Sequence, residues 1–182
     1  MDRNIIRALC ALALAGALAL SLAGCESIKN GVANALGFSS NAQQEEDTTN
    51  WAAATADLIL LPEGTDATAQ WTNVVSNGTL YGVYNGIWTR NTGYFQVSGD
   101  SLTITACGTA EGVQEYKIAL WKKVDGGAQY VDGSTGYIHT DGSNYRFTIG
   151  GLDPAAQYRL TISYDSSRYY LYGMFKAEGI VG

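Results

Sequence analysis

From residue 51 to the end of the chain, apolar and polar residues alternate in short stretches separated by Gly, Asp, Asn and Ser. A period of two is the pattern of a half-buried strand, and regularly spaced short strands are typical of sandwiches and barrels. All 12 tyrosines lie after residue 80, where Val, Ile and Thr are also frequent, and these residues favour strands. We therefore expect an all-β antiparallel sandwich over residues 51–182. The predicted strands are 56–61, 70–75, 79–89, 93–98, 101–107, 114–124, 128–131, 136–140, 144–150, 157–164 and 168–178.

Two segments of this region predict hairpin turns. They are the Asp-Gly-Gly stretch at 125–127 and the Asp-Gly-Ser-Asn stretch at 141–144. Glycine and Asx residues accept the positive φ that tight turns need.

The first 25 residues have a different character. Arg3 and Arg7 precede an uncharged run at 8–25, which ends in Leu22-Ala23-Gly24-Cys25. A positive start, an apolar middle and small residues before a cleavage site make up an export signal. With cysteine at that site, the stretch resembles the lipobox of bacterial lipoproteins. The resemblance implies that residues 1–24 are removed and that Cys25 is acylated, which would anchor the protein in a membrane.

The alternative for this run is a membrane-spanning helix, because 18 residues is about the minimum spanning length. The many alanines make the run only mildly apolar, and a spanning helix gives no reason for Leu-Ala-Gly-Cys at its end. We therefore interpret residues 1–24 as a lipoprotein signal peptide.

Residues 25–50 are expected to form the lipidated cysteine and a flexible tether, because the polar stretch 39–50 has little to bury. Glu26 follows the cysteine in place of the aspartate that retains enterobacterial lipoproteins at the inner membrane. The resemblance thus implies the outer membrane of a host with two membranes, and otherwise the cell surface.

Charge and cysteine content exclude several classes of function. The net charge is −6 and no basic stripe is visible, so nucleic acid is not an expected partner. Cys107 is the single cysteine after Cys25, which leaves no intrachain disulfide, and we expect it to be a small buried residue. With His139 as the single histidine, we expect no metal site.

One motif in the second half is more specific than a general β pattern. Leu152, Pro154 and Tyr158 have the spacing Leu-x-Pro-x-x-x-Tyr between two alternating segments. This spacing resembles the E–F corner of fibronectin type III domains, and residues 116–127 resemble strand C and its hairpin. In that family the chain crosses between sheets at the corner and the tyrosine hydroxyl bonds the backbone upstream. The resemblance covers residues 93–180 and implies that strands C, F and G share one sheet.

Residues 52–90 supply several strands that a domain of that type does not need. Two architectures therefore stay open. One is a fibronectin type III fold with an N-terminal addition, and the other is a single larger, jelly-roll-like sandwich.

Residue patterns for catalysis are scarce. The chain has no Gly-x-Ser-x-Gly elbow and no phosphate-binding glycine loop. We expect His139 to be an exposed strand residue, so acid–base chemistry would depend on a carboxylate pair of the glycosidase kind. The aspartates fall at expected turns, where turn chemistry accounts for them. We therefore expect no catalytic residue and no cofactor.

Aromatic residues are the better indication of function. If Tyr116, Ile118 and Leu120 are buried, alternation turns Trp121 outward, and burial of Tyr158 turns Arg159 outward. Tyr170 and Tyr172 of the last strand join this face if strands C, F and G share a sheet. Tryptophan, tyrosine and arginine are enriched at binding hot spots. The candidate ligand-binding residues are therefore Trp121, Arg159, Tyr170 and Tyr172. A second stripe, Tyr84-x-Gly86-x-Trp88, is expected to pack in the core.

Three functions follow from these observations. The first is a non-catalytic module that binds a protein partner or takes part in envelope assembly. The second is a carbohydrate-binding module, which exposure of Trp121 or Trp88 on a flat or grooved face would favour. The third is a small hydrolase, which needs two carboxyl groups that face one cleft.

The Cys25→Ser variant tests the anchor. Serine has no thiol to accept the lipid, so we expect the precursor to stay uncleaved and to incorporate no labelled fatty acid. Immunoblotting of membrane fractions with metabolic labelling measures both. A variant that is processed like the wild type would refute the assignment.

Overall fold

The computed structural model describes residues 51–182 with the exception of residues 113 and 167. Regular structure in this part of the chain consists of strands, and no helix there could cross a membrane. The predicted signal peptide, Cys25 and tether lie outside the described residues. The strands are β1 (Ala53–Ala54), β2 (Trp71–Ser76), β3 (Thr79–Ile87), β4 (Thr89–Asn91), β5 (Leu102–Thr109), β6 (Glu115–Val124), β7 (Gly127–Tyr130), β8 (Gly136–His139), β9 (Tyr145–Ile149), β10 (Tyr158–Ser163) and β11 (Leu171–Glu178).

The strands form two antiparallel sheets that pack as a sandwich, which confirms the predicted fold class. The first sheet has the order β1-β9-β5-β11-β3-β2. The second has the order β4-β10-β6-β7, and β8 pairs with β6 as well. Strands β1, β2 and β3 enter the first sheet and β4 the second, so residues 52–90 belong to the same sandwich, as the larger-sandwich alternative requires.

Two predicted strands are wrong. Residues 56–61 pair with no strand, and Leu58 and Leu60 are exposed. Residues 93–98 make only isolated bridges through Phe95 and Val97. An apolar alternation does not by itself supply a pairing partner. Residues 56–61 have none, whereas Phe95 and Val97 are buried in the core and pair only through single bridges.

The core follows the predicted alternation of β6 and β10. The core-facing side chains of both strands are buried: Tyr116, Ile118 and Leu120 on β6, and Tyr158, Leu160 and Ile162 on β10. Burying these faces removes a large apolar area from water, which is the dominant favourable contribution to folding.

A hydrogen bond inside the core joins the two sheets. The hydroxyls of Tyr84 on β3 and Tyr116 on β6 lie 2.8 Å apart. Tyr84 also donates to the carbonyl of Cys107 at 2.8 Å. Burial raises the pKa of both hydroxyls, so both stay protonated and satisfy each other in the dry interior. Tyr84 is thus a core residue, as expected, whereas Trp88 of the same stripe is 46% exposed.

Glycines in the strands make room for core rings. A Cβ on Gly82 of β3 would lie 2.0 Å from the ring of Phe175, and one on Gly136 of β8 would lie 2.5 Å from that of Phe147. These glycines are therefore packing positions rather than turn positions.

The predicted corner is present. The chain leaves β9 in the first sheet and enters β10 in the second, and the hydroxyl of Tyr158 accepts from the backbone N–H of Asp153 at 2.9 Å. The same hydroxyl donates to the Asp153 carbonyl at 3.2 Å. Leu152 is buried beneath the corner.

Two expectations about connections are wrong. Strands β6 and β10 pair, but the last strand, β11, lies in the other sheet between β5 and β3. The predicted hairpin at residues 141–144 would join β8 to β9. These strands do not pair, because β8 belongs to the second sheet and β9 to the first. Asp141 still makes the Asx turn, accepting from the Ser143 N–H at 2.8 Å. The sequence thus predicted the turn at Asp141, but not that the next strand, β9, joins the first sheet. The turn at 125–127 does join the paired strands β6 and β7.

The Tyr158→Phe variant tests the corner. It removes two hydrogen bonds to the backbone of Asp153 while keeping the buried ring, so we expect a loss of about 1–3 kcal/mol in the free energy of unfolding. Urea unfolding measures it. Tyr172→Phe, at an exposed ring, is the control and should change stability by less than about 0.5 kcal/mol. Equal effects of the two variants would mean that the two hydrogen bonds of the Tyr158 hydroxyl do not contribute to stability.

Candidate functional site

The outer face of the second sheet carries the candidate site. Alternation along β6 turns Lys117, Ala119 and Trp121 away from the core, and Arg159 of β10 lies directly opposite Trp121. Strands β1, β2 and β3 lie in the other sheet and β4 extends this sheet beside β10, so none of the described strands covers this face. The sequence therefore placed Trp121 and Arg159 together correctly, whereas their role in binding stays a prediction.

Trp121 is half-buried. Its ring meets Tyr130 of β7 edge to face, with centroids 5.7 Å apart. Neither Trp121 Nε1 nor Arg159 Nε has a hydrogen-bond partner among the described residues, although both atoms are buried. A buried donor without an acceptor costs free energy. At this end of the face, two N–H groups therefore lack a hydrogen-bond acceptor in the free protein.

Two cations cover an aromatic ring beside this pair. Lys123 Nζ lies 5.3 Å and Arg159 Cζ 5.7 Å from the ring centre of Tyr94. Lys123 also donates to Gln157 Oε1 at 2.9 Å. Cation–aromatic contacts of this kind hold the long side chains against the face.

Tyr170 and Tyr172 do not join Trp121. Tyr172 lies on β11 in the first sheet, opposite Asn85 and Thr109. Tyr170 precedes β11 and stacks on Trp88, with ring centres 4.9 Å apart and planes 15° apart. The expected cluster of all four residues is therefore wrong, because it assumed that the last strand shares a sheet with β6 and β10.

A groove occupies the other end of the same face. It has a volume of about 520 Å³. It is lined by residues of β6 and β8, by the end of β10 and by the residues just before β6 and just after β10: Gln114, Glu115, Tyr116, Lys117, Tyr137, His139, Ser163 and Asp165. The strand pairing explains the assembly, since Glu115 is opposite His139, while Lys117 lies between Tyr137 and Ser163.

Charges of both signs line the groove. Lys117 Nζ lies 3.4 Å from Asp165 Oδ2, and the Asp165 side chain is 79% exposed. Just outside, backbone and hydroxyl hydrogen bonds from Ser143 and Tyr145 lower the pKa of Asp141, with a smaller contribution from His139. The Asp141 carboxylate in turn raises the pKa of Tyr145. The groove thus offers a cation, carboxylates, an imidazole and hydroxyls within one concave surface.

An exposed tryptophan stacks at the edge of the groove. Trp51 and His139 have ring centres 4.8 Å apart and planes 17° apart, and Trp51 is 49% exposed. Trp51 also bridges to Tyr137 through the backbone, and their rings lie 5.7 Å apart. This arrangement fixes a flat ring beside the polar lining.

Sequence reasoning missed this groove and Trp51. The signal for part of it was present, since burial of Ile138 turns Tyr137 and His139 outward by the rule used for β6. The exposure of His139 was expected and is confirmed. The pairing of β8 with β6, which makes the groove, is non-local and has no sequence signature.

The described residues were also compared with two other kinds of site, a metal centre and a reactive cysteine. No group of three or more His, Cys, Asp or Glu side chains is placed to hold a metal ion within the part of the chain that the structure describes. Cys107 is a free thiol of intermediate burial, and burial raises its pKa. A raised pKa lowers the fraction of reactive thiolate.

No protein-family model matches this chain, and no curated protein matches it. A solved structure described as "CBM4 structure and function" is similar over 60% of this chain and 73% of that one. The identity is 11% and the TM-score 0.34.

The Trp121→Ala variant tests whether the ring belongs to a contact face or to the core. Because Trp121 is half-buried on the outer side, we expect a loss of unfolding free energy well below the roughly 3–5 kcal/mol of a buried tryptophan. Thermal and urea unfolding measure it. Trp71→Ala is the matched control and should cost more, because Trp71 packs against the core. A Trp121 loss in the core range would mean that this part of the face is packed structure.

Proposed function

We propose that this domain is a non-catalytic glycan-binding module whose site is the groove on the outer face of the second sheet. The observation that supports it is the exposed Trp51–His139 stack beside a groove lined by Glu115, Lys117 and Asp165. A sugar ring has an apolar face and a polar rim. A flat aromatic ring suits the first, and convergent polar side chains suit the second.

The exposure of the tryptophans favours a glycan over a protein partner. Trp51 and Trp88 are about half exposed, and each stacks on a neighbouring ring rather than filling a core position. The core of a protein interface is usually depleted of charged residues. This groove instead places Lys117 and Asp165 on its lining.

We further propose that the module is held at the cell envelope by acylation of Cys25, with residues 26–50 as a tether. The support is the Leu-Ala-Gly-Cys motif after an uncharged run. An exported, lipid-anchored module that binds a polysaccharide would retain that polymer at the cell surface, or at the outer membrane of a host with two membranes.

A carboxylate-dependent hydrolase is the second candidate. One observation favours it, since Glu115 and Asp165 line the same groove, and glycosidases act through two carboxyl groups that flank the bond. Release of reducing ends from a bound polysaccharide that stops in both Glu115→Gln and Asp165→Asn would establish hydrolysis and replace the non-catalytic proposal.

A polysaccharide and oligosaccharide array, followed by calorimetry, tests glycan binding. We expect the soluble domain, residues 51–182, to bind at least one linear glycan and Trp51→Ala to weaken that binding by about tenfold or more, as a hot-spot residue would. Val181→Ala is the control, because this exposed residue near the C-terminus lies outside the groove. The proposal fails if the domain binds no glycan, or if Trp51→Ala binds as the wild type does.

A further inference from the structure

We infer that the glycan site continues along β6 from the groove to a cationic row at Trp121 and Arg159, and that this row takes an anionic sugar unit. This inference rests on the proposed function and adds the direction of the ligand and the charge of one of its units. The anionic unit is a sugar that carries a carboxylate or a sulfate group.

The cationic row crosses the outer face at the end away from the groove. Trp121 of β6 is paired with Tyr130 of β7 on one side and with Arg159 of β10 on the other. The guanidinium of Arg159 in turn covers the ring of Tyr94, with Cζ 5.7 Å from the ring centre. The cationic row thus consists of Tyr130, Trp121, Arg159 and Tyr94, with Lys123 above the last ring.

Strand alternation places this row and the groove on the same face. Lys117 lines the groove, and Trp121 is four positions further along β6, so both side chains point to the same side of the sheet. The same spacing holds on β10 between Ser163, which lines the groove, and Arg159. At about 3.3 Å per residue, the row lies about 13 Å from the groove, a distance that a few sugar units can span.

The path between the groove and the row is lined by small residues. Ala119 of β6 and Thr161 of β10 are the outward-facing residues midway between the two ends, and they are paired with each other. Neither strand therefore places a large side chain between the groove and the row. An extended chain that lies parallel to β6 can contact both.

The positive charge of the row is not balanced by the protein. Lys123 Nζ and Arg159 Cζ both lie over the ring of Tyr94, at 5.3 Å and 5.7 Å from its centre. Neither side chain makes an ion pair with a carboxylate in the described ranges 51–112, 114–166 and 168–182. The neighbouring Lys122, by contrast, has Asp153 at 3.7 Å. In a chain of net charge −6, two unpaired cations on one exposed face form a local attraction for an anion.

The row also has more hydrogen-bond donors than acceptors. Trp121 Nε1 and Arg159 Nε are buried without a partner, and the Tyr130 hydroxyl is already bonded to Thr135 Oγ1 at 2.9 Å. A guanidinium presents its N–H groups in a planar fork that suits the paired oxygens of an oxyanion. An anionic sugar unit would therefore supply the charge and the acceptors that this row lacks.

The groove has the opposite preference. Glu115 and Asp165 line it, and its one cation, Lys117, lies 3.4 Å from Asp165 Oδ2. The separation of about 13 Å exceeds the Debye length of about 8 Å at physiological ionic strength, so the two ends act separately on a charged ligand. The anionic unit is thus directed to the row and neutral units to the groove. Glycans in which acidic sugars alternate with neutral ones fit this arrangement, whereas a charge on every unit does not.

Calorimetry with matched pairs of glycans tests the inference. One arm compares polysaccharides that contain uronic acids beside neutral sugars with their carboxyl-reduced forms, and the other compares sulfated glycans with their desulfated forms. We expect the soluble domain to bind at least one acidic form about tenfold or more tightly than the neutral form made from it. The arm in which this difference appears identifies the anion.

Variants of single cations assign the preference to the row. Arg159→Gln should lower the affinity for the acidic form by about tenfold and leave the affinity for the neutral form unchanged, which also shows that the variant is folded. Arg159→Lys keeps the charge without the planar fork and should retain part of the preference. Arg146→Gln is the matched control, because it removes an arginine from β9 in the first sheet, and it should retain all of it.

The outcomes separate the two proposals. A domain that binds no glycan, acidic or neutral, overturns the proposed function itself. A domain that binds acidic and neutral forms equally, or that keeps its preference in Arg159→Gln, overturns the anionic end of the site and leaves glycan binding intact. Equal losses in Arg159→Gln and Arg146→Gln would overturn it as well, because the attraction would then belong to the whole surface.

Discussion

The antiparallel pairing of β6 with β10 is the constraint on which the candidate site depends. Six consecutive residue pairs, from Tyr158↔Lys122 to Ser163↔Lys117, fix both strands in one register. With one face of each strand buried against the core, a slip of β6 by one residue would turn Ile118 to solvent and Trp121 to the interior. The burial that stabilises the fold therefore also decides which side chains are presented outward.

The exposed Trp88–Tyr170 stack depends on a second constraint, which is where the chain changes sheet. Trp88 lies where the chain passes from β3 in the first sheet to β4 in the second, and Tyr170 lies where it returns from β10 to β11. Their stacking thus joins two crossings at one end of the sandwich. In the core, the Tyr84–Tyr116 hydrogen bond ties the two sheets together between such crossings.

Local rules predicted what depends on neighbouring residues in the sequence. Period-two alternation identified the buried faces of β6 and β10, and the Leu-x-Pro-x-x-x-Tyr spacing identified the corner at Tyr158. The same rules failed where the answer depends on a distant partner. The segment at 56–61 alternates but pairs with no strand, and nothing in β11 indicates that it inserts between β5 and β3.

The candidate site likewise has one part that the sequence predicted and another that it did not. Trp121 and Arg159 could be placed on one face because they belong to strands whose own alternation is clear. The groove could not be predicted, since it exists only because β8 pairs with the first half of β6 while β7 pairs with the second half. Trp51 reaches the groove through a single backbone bridge to Tyr137, which carries no periodic signal.

The surroundings of the groove carboxyl groups bear on whether the site binds or cleaves. The catalytic acid of a glycosidase commonly lies in an apolar pocket. Asp165 has the opposite surroundings, since its side chain is 79% exposed and lies 3.4 Å from the ammonium of Lys117. Glu115 is also exposed, at the outer end of β6. Solvated carboxyl groups of this kind are suited to accepting hydrogen bonds from ligand hydroxyls, as the proposed binding role requires.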